Sequence, residues 1–547
     1  MPMFSVLPLL AGLLMVAAAL TPSLIPRDWI MQGVLGGVSM TAGYLATQFL
    51  LAIWRTLEIP VLPRRWATIA HAILAIPVMA VLVRCVALAD QWQNAIRERM
   101  GMPELEAANT TKMLLLTAAI FVALFLLGRA VQGLFDLLRT RLARHIPVTS
   151  ANVLGLLLAG LIVVTLTRDG VVQWAFGIAD SSYAAAQHLT DADAEPPSEG
   201  WRSGGPGSLI DWDLMGKPGR DFVSGGPRAP AIAAFTGRPA LEPLRIYVGL
   251  AQDKDPETRA RIALEEMIRT GAFERRVLVL ASPTGTGWMD PASYDALEYM
   301  HEGNVATVAL QYSYLQSPLA LIFETESGLD QTTAIMRLVY DHWRSLPADA
   351  RPRLYLHGIS LGAWSSMYAL NPFQMMNEPV SGAFWVGPPF PSTLWRQANE
   401  ARVPGSPLIL PQVDQGEVIR YASQFAPPDR SGKPWGRLRI LFLQHASDPI
   451  VFYDPASLWR APEWMREPTA PDVSPQLSFT PIVTQLQLAV DMLVSTSTPP
   501  GFGHIYDASE YIDGWVSVSA PQGWSAEDTA RLKAKCGKGG LIGCDNG

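Results

Sequence analysis

Two patterns of hydrophobic residues divide the chain. Up to residue 178, hydrophobic residues form long runs, whereas from residue 244 onward short runs rich in β-branched and aromatic residues alternate with longer helical ones. Long runs without charges are typical of membrane-spanning helices, because a helix satisfies its backbone polar groups internally. Short and long runs in alternation indicate βαβ units around a parallel sheet. The sequence therefore predicts a membrane part followed by a water-soluble part.

The membrane part contains five stretches of suitable length. A span needs about 20 mostly apolar residues, and the candidates are residues 4–25, 29–54, 66–89, 113–135 and 151–167. Within them only Arg84 and Arg129 are charged. The first stretch has the alternative of a signal peptide, but it lacks a basic start and a small-x-small cleavage site, which favours a retained helix. The expected fold of residues 1–178 is an α-helical transmembrane bundle of about five spans.

Basic residues in the short loops predict an orientation, because cytoplasmic loops retain more positive charge. The loops after the second and fourth stretches hold six: Arg55, Arg64, Arg65, Arg139, Arg141 and Arg144. The opposite loops hold four: Arg27, Arg97, Arg99 and Lys112. This asymmetry places the N-terminus in the cytoplasm. After an odd number of spans, the C-terminal part is then expected outside the cytoplasm of a bacterial inner or plasma membrane.

The water-soluble part is predicted to form an α/β domain with a mostly parallel sheet. The predicted strands are 244–249, 275–281, 305–311, 353–357, 381–386 and 437–443. The predicted helices are 256–270, 328–346, 479–494 and one that starts at residue 361. Residues 388–436 exceed the length of a crossover and are rich in proline, so we expect an insertion that covers the mouth of a site.

Turn-forming residues mark the domain boundaries. Residues 190–243 are rich in Gly, Pro, Asp and Ser and have no helical or strand period, which predicts a linker over 179–243. This linker also contains Trp201, Trp212 and Phe222, so we expect part of it to pack on the soluble domain. The catalytic domain is expected over 244–520 and a C-terminal tail over 521–547.

Composition and charge support this division. The chain of 547 residues is 49% hydrophobic and only 17% charged, against about 25% charged in typical soluble domains. Residues 1–178 hold 13 Lys and Arg against 8 Asp and Glu, a net charge of +5, and residues 179–547 hold 29 against 41, a net charge of −12. An acidic soluble part without a basic stripe disfavours a nucleic-acid partner.

The three cysteines and eight histidines are scattered and give no metal-ligand spacing. Cys536 and Cys544 lie eight positions apart in the glycine-rich tail. A disulfide between them is expected if the tail lies in an oxidising compartment; the alternative is two free thiols. Cys85 lies inside the third predicted span.

One motif carries chemistry on its own. The predicted strand at 353–357 runs into Gly358-Ile-Ser360-Leu-Gly362 and then into a helix. A G-x-S-x-G turn between strand and helix is typical of a nucleophile elbow, in which glycines leave room for a tight turn that exposes the serine. The bare pattern arises easily by chance, so its position after a strand is what strengthens it.

A serine hydroxyl needs a histidine to take its proton and a carboxylate to orient that histidine. Asp448 follows the predicted strand 437–443, and His504 lies downstream between glycines in a loop, so the order Ser, Asp, His is complete. Each residue alone has another interpretation, since Ser360 is also suited to cap a helix, Asp448 to form a turn and His504 to lie on a surface loop. Asp414 is the second candidate for the acid.

Other residues near these motifs receive narrower expectations. The oxyanion needs two N–H donors, for which we predict the amide of Leu361 and that of Gly285 or Thr286; a plain glycine-rich turn is the alternative for the second. Aromatic residues that flank the site are candidates for an acyl pocket or for the core: Trp288, Tyr312, Tyr314 and Trp364. His357 and His445 are expected to be structural, although His445 lies near enough in sequence to support Asp448.

These motifs together resemble the bacterial membrane-anchored α/β-hydrolase family, which joins an N-terminal multi-helix domain to an α/β-hydrolase domain. The segments that carry the resemblance are LTPSLIPR at 20–27, RIYVGL at 245–250, PTGTGW at 283–288, QYSYL at 311–315, the elbow and GFGH at 501–504. The resemblance spans nearly the whole chain. It implies the fold and a serine nucleophile, but no defined substrate.

The leading hypothesis is a membrane-bound serine ester hydrolase that acts through an acyl-enzyme on an apolar or lipid-like ester at the bilayer surface. An acyltransferase that uses the same acyl-enzyme is the second hypothesis, and a thioester is an alternative substrate. The third is a membrane scaffold or transporter with a non-catalytic soluble domain, which the few charges within the spans disfavour. The hydrolase mechanism requires no metal or organic cofactor.

Overall fold

The computed structural model describes residues 5–105, 109–164, 195–315, 325–371, 373, 377–430, 432–537 and 543–544. The chain forms two compact units. The first comprises Met1–Ala179 and Asp454–Val494, and the second comprises Asp180–Tyr453 and Ser495–Gly547. A segment from the C-terminal half of the chain therefore belongs to the same unit as the N-terminal helices.

The N-terminal part of the first unit is helical. Its helices are α1 (Val6–Ala19), α2 (Trp29–Thr56), α3 (Arg64–Arg99), α4 (Thr110–Leu142) and α5 (Val148–Val164). Three of these, α2, α3 and α4, are long and apolar enough to cross a membrane. Large apolar side chains point outward from them, with Phe49 67%, Ile76 71% and Leu115 66% exposed. Such an apolar surface is consistent with membrane association.

The expected count of five spans is not confirmed, because α1 and α5 are shorter than the three helices that are long enough to cross a membrane. Helix α1 has 14 residues and α5 has 17, about 21 and 26 Å at 1.5 Å per residue, against a hydrocarbon core of about 30 Å. The predicted stretch 4–25 is shortened because Pro22 and Pro26, which lack a backbone N–H, follow the end of the helix. The last residues of the stretch 151–167, from 165 on, lie outside the described residues.

The segment Asp454–Val494 joins these helices through α14 (Val483–Leu493), the helix expected at 479–494. Val483 is fully buried with Ala19 and Leu35, and Leu486 and Val490 pack against that cluster. The sequence assigned this helix to the catalytic domain. The structure differs because the apolar face of α14 is covered by α1 and α2.

A buried ion pair lies in the same unit. Asp491 of α14 lies 3.7 Å from the guanidinium of Arg27, and both side chains are fully buried. The Asp491 carboxylate also accepts hydrogen bonds from the Ser23 hydroxyl and from the backbone N–H of Leu24, the latter at 3.0 Å. A buried charge requires such partners, because removal from water is costly for an isolated ion. These contacts fix α14 to the chain between α1 and α2.

The second unit is built on a seven-stranded sheet in which every described strand pair is parallel. The strands are β1 (Leu244–Val248), β2 (Val277–Ser282), β3 (Val305–Leu310), β4 (Arg353–Ile359), β5 (Gly382–Val386), β6 (Ile419–Ala422) and β7 (Arg439–Leu443). Their order is β1-β3-β2-β4-β5-β7-β6. Apolar residues run continuously along them because helices cover both faces of a parallel sheet. Six strands lie within two residues of their predicted positions.

Strand β6 was not predicted. It has four residues, lies at the edge of the sheet and pairs only with β7 among the described strands. It belongs to the stretch 388–436 that the sequence assigned to an insertion. A four-residue strand among prolines has too little local pattern to be recognised, because its pairing with β7 determines it.

The helices of the second unit follow the expected alternation with the strands. They are α6 (Gly216–Ser224), α7 (Ala229–Thr236), α8 (Pro256–Arg269), α9 (Pro291–Met300), α10 (Thr325–Ser345), α11 (Leu361–Ala369), α12 (Thr393–Glu400), α13 (Pro449–Phe452), α15 (Ala508–Ser519) and α16 (Ala526–Cys536). Helices α6 and α7 lie in the stretch where the sequence shows no helical period.

Residues 195–243 are tied to the rest of this unit by polar contacts and apolar packing. The buried carboxylate of Glu266 in α8 accepts hydrogen bonds from the hydroxyls of Ser203 and Ser208. Trp212 and Phe222 are buried, and the ring of Phe222 lies 5.2 Å from that of Tyr294. In the tail, Cys536 and Cys544 form a disulfide, and both are buried.

Candidate active site

The elbow forms at the carboxyl end of β4, in the middle of the sheet. Ser360 directly follows the strand and precedes α11, with φ 58° and ψ −127°. A non-glycine residue with positive φ is strained and marks a position of functional interest. A Cβ atom on Gly358 would lie 2.4 Å from the backbone of Gly362, and one on Gly362 would lie 2.1 Å from the carbonyl oxygen of Ser282. The glycines are therefore required by the close approach of backbone.

The Ser360 side chain is buried and has no hydrogen-bond partner among the described residues. Its exposure is 1%, and its Oγ makes no hydrogen bond there. The backbone N–H of Ser360 donates to the carbonyl oxygen of Val386 at 2.9 Å, which ties the elbow to the end of β5. A buried hydroxyl normally has a partner. Its absence at Ser360 points to a group that reacts or binds.

Asp448 and His504 form a direct pair. The carboxylate oxygen Oδ2 of Asp448 lies 2.6 Å from Nδ1 of His504 and also accepts a hydrogen bond from the Tyr506 hydroxyl at 2.7 Å. The other oxygen, Oδ1, accepts from the backbone N–H of Ile450 at 2.9 Å, because Asp448 caps the short helix α13. The fully buried carboxylate is thus held in one orientation on both oxygens.

The remaining ring nitrogen of His504 is directed away from the acid. Nε2 is buried and makes no hydrogen bond to the described residues. A Cβ atom on Gly387 would lie 2.7 Å from Cε1 of the His504 ring. Gly387 directly follows Val386, whose carbonyl oxygen accepts the hydrogen bond from the backbone N–H of Ser360. Ser360 and His504 therefore both lie at the carboxyl end of β5, each with one unsatisfied polar atom. A hydroxyl and an imidazole in this state are suited to exchange a proton.

The predicted oxyanion donors lie beside the elbow. Leu361 is the first residue of α11, where a backbone N–H has no acceptor within the helix. Gly285 and Thr286 lie in a turn closed by hydrogen bonds from Thr284 to the carbonyl oxygen of Trp288 at 3.1 and 3.2 Å. The turn follows Ser282, whose carbonyl oxygen contacts Gly362. The roles of these three amides remain predictions.

The predicted pocket residues are partly buried around this region. Tyr312 is buried and packs against Gly328 of α10, while Trp288 and Trp364 are half-buried. Residues 316–324, which follow the segment that holds Tyr312 and Tyr314, lie outside the described residues. An acyl pocket formed by these aromatic residues is therefore still a prediction.

The structure separates the remaining candidates from the Asp448–His504 pair. Asp414 lies in an exposed turn with φ 48°, and the carboxylate on His504 is that of Asp448. His357 is fully buried, with Nε2 2.9 Å from the Ser293 hydroxyl and Nδ1 2.7 Å from the Phe384 carbonyl oxygen. Burial lowers the pKa of His357 to about 4, so this ring is neutral at pH 7.

The role of Tyr506 and the partners of His445 were missed from the sequence. The hydroxyl of Tyr506 binds Asp448, and burial raises its pKa above the ordinary value, so it stays protonated and donates. Its position two residues after His504 was the available signal. His445, which was expected to be structural, contacts Gly503 and Glu510. The partners of His445 lie 58 and 65 positions away, so no local pattern announces them.

No group of three or more His, Cys, Asp or Glu side chains is placed to hold a metal within the part of the chain that the structure describes. The polar side chains at the site are instead a hydroxyl, an imidazole, a carboxylate and a phenol. This set is suited to proton transfer and to attack on a carbonyl carbon.

Two family models agree with the architecture. Residues 244–532 match a family model described as "Alpha/beta-hydrolase family", and residues 20–227 match one described as "Alpha/beta-hydrolase family N-terminus". No curated protein matches the chain. A solved structure described under "LipS and LipT, two metagenome-derived lipolytic enzymes" is 15% identical, with a TM-score of 0.17 over 32% of this chain and 85% of that one. A likeness of this size carries no functional argument.

Proposed function

This chain belongs to an alpha/beta-hydrolase family, and from that premise we propose that it is a membrane-bound serine hydrolase that cleaves an apolar or lipid-like ester. The observation that carries the proposal is the Asp448–His504 pair at 2.6 Å beside a strained serine, with Ser360 Oγ and His504 Nε2 both buried and without other partners among the described residues. This combination supports a nucleophile, a base and an orienting acid.

In the proposed reaction, Ser360 Oγ attacks the acyl carbon of the ester while His504 Nε2 takes its proton. The Asp448 carboxylate stabilises the imidazolium through Nδ1–H. The negative charge on the carbonyl oxygen is stabilised by the amide of Leu361 and that of Gly285 or Thr286. The imidazolium then protonates the departing alcohol, which leaves an acyl-enzyme. Water hydrolyses this ester by the same steps in reverse, with His504 again as the base.

The lipid-like character of the substrate is supported by the setting of the domain. Three helices are suited to cross a membrane, so the catalytic domain is expected to work beside a bilayer, where apolar esters are concentrated. Trp288, Tyr312 and Trp364 supply apolar surface for an acyl chain. The bilayer and an apolar ester are therefore the proposed partners.

The side of the membrane depends on α5. The loops after α2 and α4 carry the larger number of arginines and are therefore cytoplasmic by the positive-inside rule. We propose that α1 is the first span and that the uncharged α5 also crosses, as the fifth. The catalytic domain then lies outside the cytoplasm. Alkaline phosphatase fused to the C-terminus is then expected to be active. An inactive phosphatase, with a cytoplasmic reporter active at the same position, would place the domain in the cytoplasm.

A fluorophosphonate probe tests the nucleophile directly. The detergent-solubilised full chain is expected to form a covalent adduct on Ser360, because such probes phosphonylate only an activated serine. The variant Ser360→Ala is expected to lose the adduct. The matched control is Ser365→Ala, a buried serine one turn into the same helix whose hydroxyl donates to the Gly362 carbonyl oxygen; it should label like the wild type. Absence of label from the wild type, or equal label in Ser360→Ala, would contradict the proposed function.

A further inference from the structure

A second histidine–carboxylate pair lies behind the Asp448–His504 pair. His445 follows the end of β7 by two positions and is fully buried. Its Nδ1 lies 3.0 Å from the carbonyl oxygen of Gly503, and its Nε2 lies 2.7 Å from Oε1 of Glu510. A backbone carbonyl only accepts hydrogen bonds, so Nδ1 carries a proton. The other oxygen of Glu510 accepts from the backbone N–H of Asp507 at 2.6 Å, which completes the capping box of α15.

These contacts join the loop of the acid to the loop of the base. Gly503 immediately precedes His504, and both polar groups of its backbone bind residues that lie shortly before Asp448 in the chain. Its carbonyl oxygen accepts from His445, and its N–H donates to the Ser447 hydroxyl at 3.0 Å. The position of His504 relative to Asp448 is therefore fixed from the backbone as well as through the bond between the two side chains.

The ring of His445 also supports the phenol that binds the acid. It stacks on the ring of Tyr506 with the centroids 4.1 Å apart and the planes 29° apart. Tyr506 in turn donates to Asp448 Oδ2, the oxygen that accepts from His504. One buried imidazole thus contacts a residue on each side of His504 in the chain, Gly503 through a hydrogen bond and Tyr506 through its face.

We propose that His445, oriented by Glu510, is a positioning residue that holds His504 at the distance and angle to Asp448 and Ser360 that proton transfer requires. The bond to the Gly503 carbonyl is the functional contact, and Glu510 fixes the ring that makes it. This role rests on the proposed function, since it acts through His504. Its loss misplaces the base and leaves the substrate surface untouched, so it lowers kcat and leaves KM unchanged.

Two substitutions at the same position separate this role from ordinary packing. The amide of asparagine occupies the place of Nδ1 in a histidine, so His445→Asn keeps a donor for the Gly503 carbonyl. The amide of glutamine reaches the place of Nε2, so His445→Gln keeps the contact with Glu510 and loses the one to Gly503. Each variant removes one hydrogen bond and the ring that stacks on Tyr506, which makes each the control for the other.

Ester hydrolysis and probe labelling in the full-length detergent-solubilised protein provide the test. A misplacement of about 1 Å costs on the order of 10²-fold in rate, so His445→Gln is expected to lose about that factor in kcat at unchanged KM. His445→Asn is expected to keep kcat within a few-fold of the wild type. Glu510→Gln, whose amide is able to donate to Nε2, should also stay close to the wild type.

The outcomes distinguish this role from the function itself. A wild-type protein that neither labels nor turns over would contradict the proposed function. If the wild type is active and His445→Asn and His445→Gln lose kcat equally, in proportion to the decrease in their melting temperatures, His445 acts only in packing. That result would overturn the proposed role. A raised KM at unchanged kcat in His445→Gln would also overturn it.

Discussion

Replacing Ser360 by alanine is expected to lower kcat for a p-nitrophenyl ester about 10⁶-fold, and replacing His504 by alanine is expected to lower it about as far. The two side chains act as one unit, because the hydroxyl attacks only as its proton moves to Nε2 of His504. The double variant should therefore lose no more than either single one. KM is expected to stay near the wild-type value, since neither group binds the substrate ahead of the reaction.

Steady-state kinetics of the three variants check this prediction, with labelling by the fluorophosphonate probe as an independent measure. The discriminating quantity is the loss in the double variant. Losses that multiply, with His504→Ala costing only a few-fold, would show that His504 is not the base for Ser360. The proton would then have to move to another group.

The choice of acid is tested in the same assay. Asp448→Asn is expected to cost about 10⁴-fold in kcat, because an amide holds the neighbouring imidazole in the wrong tautomer. Asp414→Asn is the matched control: asparagine tolerates the positive φ of this exposed turn, and activity should stay unchanged. The reverse result would transfer the role of the acid to Asp414.

Replacing Asp491 by alanine is expected to destabilise the first unit by about 3–5 kcal/mol, because it leaves the charge of Arg27 buried without its partner. The Ser23 hydroxyl and the Leu24 amide lose their acceptor as well. The measurement is thermal unfolding in detergent. The control is Asp136→Ala, which removes an exposed pair with Arg139 and should change stability by less than about 1 kcal/mol.

The double variant Arg27→Met with Asp491→Leu separates the buried charge from the packing. Apolar residues of similar size in place of both ions are expected to restore most of the stability, because desolvation offsets much of the attraction in a buried pair. A double variant as unstable as Asp491→Ala would contradict this expectation.

The same carboxyl predicts a pH dependence of stability. Burial raises the pKa of Asp491 to about 6, and Arg27 lowers it only in part. The carboxyl therefore binds its proton more tightly in the folded protein, so stability should fall as the pH rises from about 4 to about 6.

The helix that contains Asp491 is an example of a contact that the local sequence pattern does not predict. Residues 479–494 have the period of an amphipathic helix, and the helix forms at Val483–Leu493. The pattern indicates that one face of the helix is apolar, but it does not indicate which element covers that face. Ser23 and Asp491 are 468 positions apart, and a contact over that distance leaves no local trace.

Local rules accounted for much of the rest. Six strands, the order of the strands and helices, and the elbow followed from periodicity and from the glycines at 358 and 362, because these signals act over a few neighbouring residues. The count of five spans is not confirmed, because the first helix ends early, ahead of Pro22 and Pro26. Strand β6 was missed because pairing with β7 defines it.

By itself, the sequence determined that mostly apolar helices precede a parallel α/β domain, and it determined the serine that its elbow presents, since both depend on short-range sterics and hydrophobicity. Only the tertiary structure decided which carboxylate lies on His504, that the Tyr506 hydroxyl binds this carboxylate and that His445 contacts Gly503. It also placed α14 with the N-terminal helices. The physical reason is that hydrogen bonds and ion pairs between distant residues depend on where the folded backbone brings them, and a linear pattern does not encode that meeting.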